Sequence, residues 1–362
     1  NSAFVCCQRL SKAFFNGHAC VRDSCQKFFY GIYFSLLKNL RAGGEMKVSE
    51  ALIGRKKPVL SLEILPPDKG SNVEDLYRLI DPFLEFDPLF ISVTFHQAQN
   101  WWSVENGQEI KIRRQRRPGT VAISAGLKHK FGVETVPHLI CAGFNRYELE
   151  DALLELHYLG LENIFVIRGD PQPGEKEFRP EPGGHAHACE LVRQIDNLNH
   201  GYYLEGVKPA AGTDFCCGVA GYPEKHPESP SMEFDLLHLQ EKVEAGARFI
   251  ITQMFFSAEI YQNYLGRLKE AGIKVPVMPG FKLLYNQKQL TRIPATFGVS
   301  LPPAMVEAFE VCRTAEEEKK TGLKFGLELA EKLLEGGAPG IHVFTMSQKD
   351  PVLDLLKILF KR

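Results

Sequence analysis

From Val59 onward the chain repeats one grammar eight times: a short apolar run ending near a polar or turn-forming residue, then a helix-patterned segment. The runs are VLSLEILPP, LFISVTF, TVPHLICA, NIFVIRGD, CCGVAGYP, FIITQMFF, VPVMPGF and GIHVFTM. Alternating strand and helix predicts a parallel sheet with helices outside it, and eight units predict a closed (β/α)8 TIM barrel. In that architecture chemistry collects at the C-terminal ends of the strands. Those ends carry Glu63, Thr94, His138, Asp170, Tyr222 and Gln253.

Helix punctuation supports the same architecture. Ser71-x-x-Glu74 and Asn145-x-x-Glu148 read as capping boxes after the first and third strands. Gly160, Gly246, Gly272 and the Gly336–Gly337 pair stand where helices should stop. An open doubly wound sheet shares this local pattern, so closure is an expectation for the structure to decide. No G-x-G-x-x-G or G-x-x-x-x-G-K-S/T pattern occurs, which leaves a Rossmann dinucleotide fold and a P-loop without support.

With 362 residues and 44% hydrophobic content the chain can bury a large core, and residues 46–362 are expected to form one catalytic barrel. A net charge of −1 gives no pull toward nucleic acid or an anionic membrane. No apolar run reaches the roughly 18 residues that span a bilayer. Of nine cysteines, Cys6, Cys7, Cys20 and Cys25 fall in the first 45 residues, and no C-x-x-C pair occurs. Reduced thiols, no structural metal and a cytoplasmic location are therefore expected. Residues 1–45 lack a sustained period and begin with Asn, whereas Met46 opens MKVSEALIG. They are expected to be a dispensable or non-native extension rather than a targeting segment built on Phe28–Leu40.

Two connections are long. The one after the second strand, from His96 to Gly119, holds both tryptophans and the Arg113, Arg114, Arg116, Arg117 cluster. Long loops on the active face are often functional. This one reads either as a solvated basic hairpin with its Trp pair packed on the barrel rim or as a cover for a ligand. The other, Pro171 to His187, is rich in proline and glycine and so irregular.

The strand-end motifs SLEILPP, VTF, PHLICAG, NIFVIRGDP, GVAGYPEKHPES, KVEAGARFIITQMFF and VPVMPGF occur in this order, and the stretch from about Val59 to Leu359 resembles the 5,10-methylenetetrahydrofolate reductase family of flavin enzymes. The resemblance implies a barrel that binds FAD and uses NADH or NADPH to make 5-methyltetrahydrofolate by ping-pong hydride transfer, supplying methyl groups for methionine synthesis. It implies Glu63 as general acid, Asp170 as the carboxylate beside flavin and folate, and Gln253 as the hydrogen-bond partner of the pterin. Thr94, His138, Arg168, Gly169, Asp170, His187, Ala188, Tyr222, His226, Asp235 and Lys242 match positions that hold FAD. Opening the folate's five-membered ring requires protonating a departing amine nitrogen, work suited to a carboxyl of raised pKa. A nearby carboxylate can stabilise the resulting cation. The implied partners are small molecules, with no nucleic acid or membrane, and a homo-oligomer stays open.

The chain departs from the family pattern at His96–Asn100, at His187, at Glu241 and at Gln348. These departures point to a divergent bacterial branch in which the arginine cluster replaces lost positive charge. That cluster is expected to draw in the glutamate tail of folate or the FAD phosphates. Ending at Arg362, the chain is expected to carry no regulatory domain answering to S-adenosylmethionine. The rival readings are a flavin-free folate-binding or complex-forming subunit and another flavin barrel oxidoreductase, such as a proline dehydrogenase relative.

Overall fold

A computed structural model describes residues 46–54, 57–206, 211–345 and 349–360. The expected extension, residues 1–45, and the departure at Gln348 lie outside the described residues. Eight parallel strands close on one another: β1 (Val59–Ile64), β2 (Phe90–Val93), β5 (Thr135–Ile140), β6 (Asn163–Ile167), β7 (Cys216–Gly221), β8 (Phe249–Met254), β9 (Val277–Phe281) and β10 (Gly340–Phe344). Strand β1 pairs with β2 on one side and β10 on the other, which settles closure against the open sheet. The closing seam needs glycine: a Cβ on Gly340 would lie 1.9 Å from the Val59 carbonyl oxygen.

Alternation along the strands sorts side chains into two cores. Leu60, Leu62 and Ile64 of β1 face outward into the layer shared with the helices. Val59 joins the barrel interior with Phe90, Val136, Phe165, Phe249 and Met278. The same alternation aims Ser61 and Glu63 inward. The short helix α1 (Val48–Leu52) closes the opposite end: Val48 and Leu52 pack into the interior cluster, and the Val48 amide donates to Asn163 Oδ1 at the start of β6.

Helix starts follow the sequence with one shift. Asn145 caps the helix Arg146–Tyr158 through the expected box with Glu148. The box on α2 (Val73–Ile80) is built by Asn72 and Asp75, not by Ser71 and Glu74. Both pairs fit the spacing, but Asn72 Oδ1 accepts from the Glu74 amide, and Asp75 returns to the Asn72 amide while also pairing with Arg78. The five described cysteines are unpaired thiols. Among the described residues, no helix is long and apolar enough to cross a membrane.

Candidate active site

At the C-terminal mouth of the barrel lies a cavity of about 740 Å³ lined by Glu63, Thr94, His138, Gly169, Asp170 and Gln253, among others. Strand periodicity explains the set: Glu63, Thr94, His138 and Gln253 stand at or next to the last inward position of β1, β2, β5 and β8. Beside it is a smaller cavity of about 280 Å³, lined by Arg168, His187, Ala188, Asp235 and Lys242. Tyr222 and His226 belong to both walls. The residues singled out from sequence thus divide between two adjoining chambers.

Glu63 stands above a polar floor. His138 Nε2 lies 3.7 Å and His342 Nε2 3.8 Å from its Oε2. Fully buried His342 shares a 2.8 Å hydrogen bond between its Nδ1 and Ser61 Oγ. The Thr345 hydroxyl donates to the Glu63 carbonyl at 2.7 Å, fixing the strand end that carries the acid. Burial acts most strongly on Glu63 and pushes its pKa up, but the His342 imidazole beside it and the charges of His138 and His96 together hold the carboxyl below its ordinary value. Burial pushes His138 down to about 4, against the pull of Glu63. At neutral pH the pair therefore carries one negative charge, on Glu63, and a neutral imidazole. The raised pKa expected for the acid is not present in this environment, because imidazoles surround the carboxyl that burial alone would have raised.

Two buried polar atoms at the cavity, Thr94 Oγ1 and His138 Nε2, have no hydrogen-bond partner among the described residues. Buried polar groups are normally satisfied, so these fit a ligand that supplies the missing partners. Gly169 has a φ of 89°, and a Cβ there would lie 2.6 Å from Ala142 Cβ, so the backbone turn at the rim requires glycine. Asp170 is exposed at the rim, with its carbonyl held by Gln97 Nε2 at 2.7 Å. Gln253 Oε1 accepts from the neighbouring Met254 amide at 2.9 Å.

In the smaller chamber Lys242 Nζ donates to the Ala220 carbonyl at 2.8 Å. Burial pushes this lysine down to about 8, opposed by Asp235. Burial likewise raises the Asp235 carboxyl, against the charge of Lys242. Arg168 grips Glu228 with two hydrogen bonds of 2.8 and 2.7 Å, the structural pairing that competes with a phosphate role. His226 meets the Tyr222 ring edge-on at 4.6 Å. His187 stacks on His238 at 6.1 Å, and His238 in turn reaches Glu241 at 3.1 Å.

The long connection after β2 is a ribbon of β3 (Gln99–Glu105) and β4 (Gln108–Arg114), turning at Asn106–Gly107 with both φ angles positive. Its tryptophans do not pack on the rim: Trp101 is 56% and Trp102 62% exposed. The arginines are not one cluster either. Arg113 donates to the Gly143 carbonyl, and Arg117 donates to that of Pro66 and pairs with Asp68.

Sequence reasoning did not single out His342, Ser61 or Lys282. Lys282 is buried just past β9, where Nζ donates to the Phe344 carbonyl at 3.1 Å. Burial pushes it down to about 8, against the pull of Glu63. A histidine and a serine at inward positions of apolar strands were the available signal.

A family profile described as methylenetetrahydrofolate reductase matches residues 47–359. The 5,10-methylenetetrahydrofolate reductase of Salmonella typhimurium is 30% identical over 80% of this chain and 87% of its own length. Methylenetetrahydrofolate reductase (NADH) 1 of Arabidopsis thaliana is 28% identical over 82% of this chain and 47% of its own. The chain spans about half the length of the worm, plant and yeast relatives it matches. Among solved structures, a Clostridium thermocellum protein described as binding two copies of 5-methyl-5,6,7,8-tetrahydrofolic acid superposes with a TM-score of 0.51. It is 14% identical, covering 87% of this chain and 99% of that one, a likeness of fold alone.

Proposed function

The chain belongs to the methylenetetrahydrofolate reductase family, and from that premise we propose that it is an FAD-dependent reductase converting 5,10-methylenetetrahydrofolate to 5-methyltetrahydrofolate with NADH or NADPH as donor. The observation that carries the reading is a carboxyl on the cavity floor beside two unpartnered buried polar atoms, Thr94 Oγ1 and His138 Nε2. When bound, the flavin supplies the hydride chemistry, and the chain supplies position and protons. Glu63 is placed to protonate the departing amine nitrogen. Its low starting pKa means that it must take up a proton as the substrate covers it and removes its remaining water. Asp170, at the rim, stabilises cationic charge on the folate, and Gln253 hydrogen-bonds the pterin. Thr94, His138 and Gly169 would hold the FAD from the large cavity. Arg168, His187, Ala188, Tyr222, His226, Asp235 and Lys242 would hold it from the smaller chamber.

The purified protein is expected to absorb near 450 nm with on the order of 10 mM⁻¹cm⁻¹ per bound flavin. A colourless protein that takes up no added FAD yet binds 5-methyltetrahydrofolate would replace this reading with the flavin-free folate-binding one. The observation favouring that rival is the acidic wall of the smaller chamber, where Glu228, Asp235 and Glu241 face any phosphate.

Lys242 makes the binding pH-dependent. Its folded pKa of about 8 lies below the ordinary 10.5, so it is charged well below pH 8, half-charged near it and progressively neutral above. An anionic cofactor favours the charged form, so FAD affinity should be greatest below pH 8. It should fall above that by at most about tenfold per unit. Fluorescence titration of apoprotein with FAD from pH 6.5 to 9.5 checks this. Lys242→Met should weaken binding at low pH and remove the fall.

A further inference from the structure

The large cavity does not end at the strand tips. Gln99, the first residue of β3, lines it. Side chains alternate along a strand, so Trp101 shares the Gln99 face of the ribbon about 7 Å further out. Cross-strand register pairs Gln99 with Arg114 and Trp101 with Ile112 on that face. The Arg114 guanidinium carbon lies 5.8 Å from the Trp101 ring centroid. Trp101 is 56% exposed and Ile112 39%, so the face is open. A two-stranded ribbon alone is marginal in water, yet this one is fastened at its root. Gln97 Nε2 donates to the Asp170 and Pro171 carbonyls, and Gln172 Nε2 donates to Gln97 Oε1 and the Ala98 carbonyl. Gln115 Nε2 donates to the His96 carbonyl at 3.0 Å. The ribbon is thus held against the loop after β6 as an outward extension of the cavity wall.

We propose that the Trp101–Arg114 strip is a binding subsite for an aromatic ring carrying a carboxylate, namely the benzoylglutamate tail of a folate whose pterin occupies the cavity. The proposal rests on reading that cavity as a folate site. Continuity with the cavity and charge complementarity select this occupant. A ligand longer than the cavity leaves it along the Gln99 face and meets an indole plane first, with a guanidinium beside it. Arg113 and Arg117 are engaged by the barrel loops, whereas Arg114 stands beside the Trp101 ring and so is the cation to meet the carboxylate. Trp102, paired with Lys111, lies on the opposite face and has no part in the subsite.

The test compares 5-methyltetrahydrofolate with 6-methyltetrahydropterin, which lacks the tail, by calorimetric titration of the holoprotein. Trp101→Ala should weaken folate binding about 2- to 10-fold, the range of an aromatic stacking contact, and leave the pterin unchanged. Trp101→Phe should recover most of the loss, and Trp102→Ala should match the wild type. Arg114→Gln should weaken the folate and flatten its dependence on salt. Unchanged folate affinity in Trp101→Ala, or an equal loss in Trp102→Ala, overturns the subsite while the folate reading stands. A wild-type protein that binds neither compound overturns the folate reading and the subsite with it.

Discussion

Replacing Glu63 by glutamine is expected to slow hydride transfer to methylenetetrahydrofolate at least roughly 10²-fold, the scale of a lost general acid. Flavin reduction by NADH or NADPH should persist. The substitution keeps the side chain's size and hydrogen-bonding reach but removes the transferable proton. Reduction by nicotinamide needs no proton on a folate nitrogen, whereas opening the folate ring does. Removing the carboxylate also relieves its pull on His138 and Lys282, both of which burial already holds low. His138 should therefore stay neutral at pH 7, and the defect should be confined to the folate step. Rapid-mixing absorbance at 450 nm reads each half separately. Wild-type reoxidation by methylenetetrahydrofolate in Glu63→Gln would remove Glu63 from the acid role.

Gly340→Ala is expected to lower the melting temperature by roughly 5–10 °C, corresponding to about 3 kcal/mol of overpacking strain. The added methyl would lie 1.9 Å from the Val59 carbonyl oxygen and 2.7 Å from Val59 Cγ2. Neither can yield without shifting β1 against β10, the pair that closes the barrel. The seam includes the register partners Glu63 and Phe344, so the displacement also reaches the mouth. Gly126→Ala is the matched control. It lies within the helix Thr120–Phe131, where a Cβ meets nothing within 4 Å, and should be neutral or stabilising by about 0.5–1 kcal/mol. Equal melting temperatures for the two variants, read by circular dichroism, would reject the steric account.

The barrel was legible because its signal is local. Each apolar run and each terminal glycine reports on its own neighbourhood, and eight units leave few arrangements that bury every inward face. The mouth of the large cavity was legible for the same reason: Glu63, Thr94, His138 and Gln253 all mark where an inward-facing row meets the mouth. What escaped was pairwise and distant. Ser61 and His342 are 281 positions apart in the chain, and nothing near either announces the other. The charge state of Glu63 depends on imidazoles from β5, β10 and the connection after β2, so a low pKa could not be read from SLEILPP alone. The capping shift from Ser71 to Asn72 shows the opposite limit, where two local solutions fit equally well and the side-chain geometry chooses. The Asn106–Gly107 turn could have marked a ribbon, but which face of that ribbon continues the cavity depends on Gln99.

Tyr222 and His226 line both chambers, and this has a consequence for redesign. An engineer who wishes to exchange the cofactor without touching substrate choice has no freedom at these two positions, because any new side chain alters both rooms through one wall. Independent adjustment is available at positions that line one chamber alone, such as His187, His238 and Glu241 on one side, and along the Trp101 face on the other. Variant libraries built at those positions should yield separable traits, whereas libraries at the shared wall should yield linked ones.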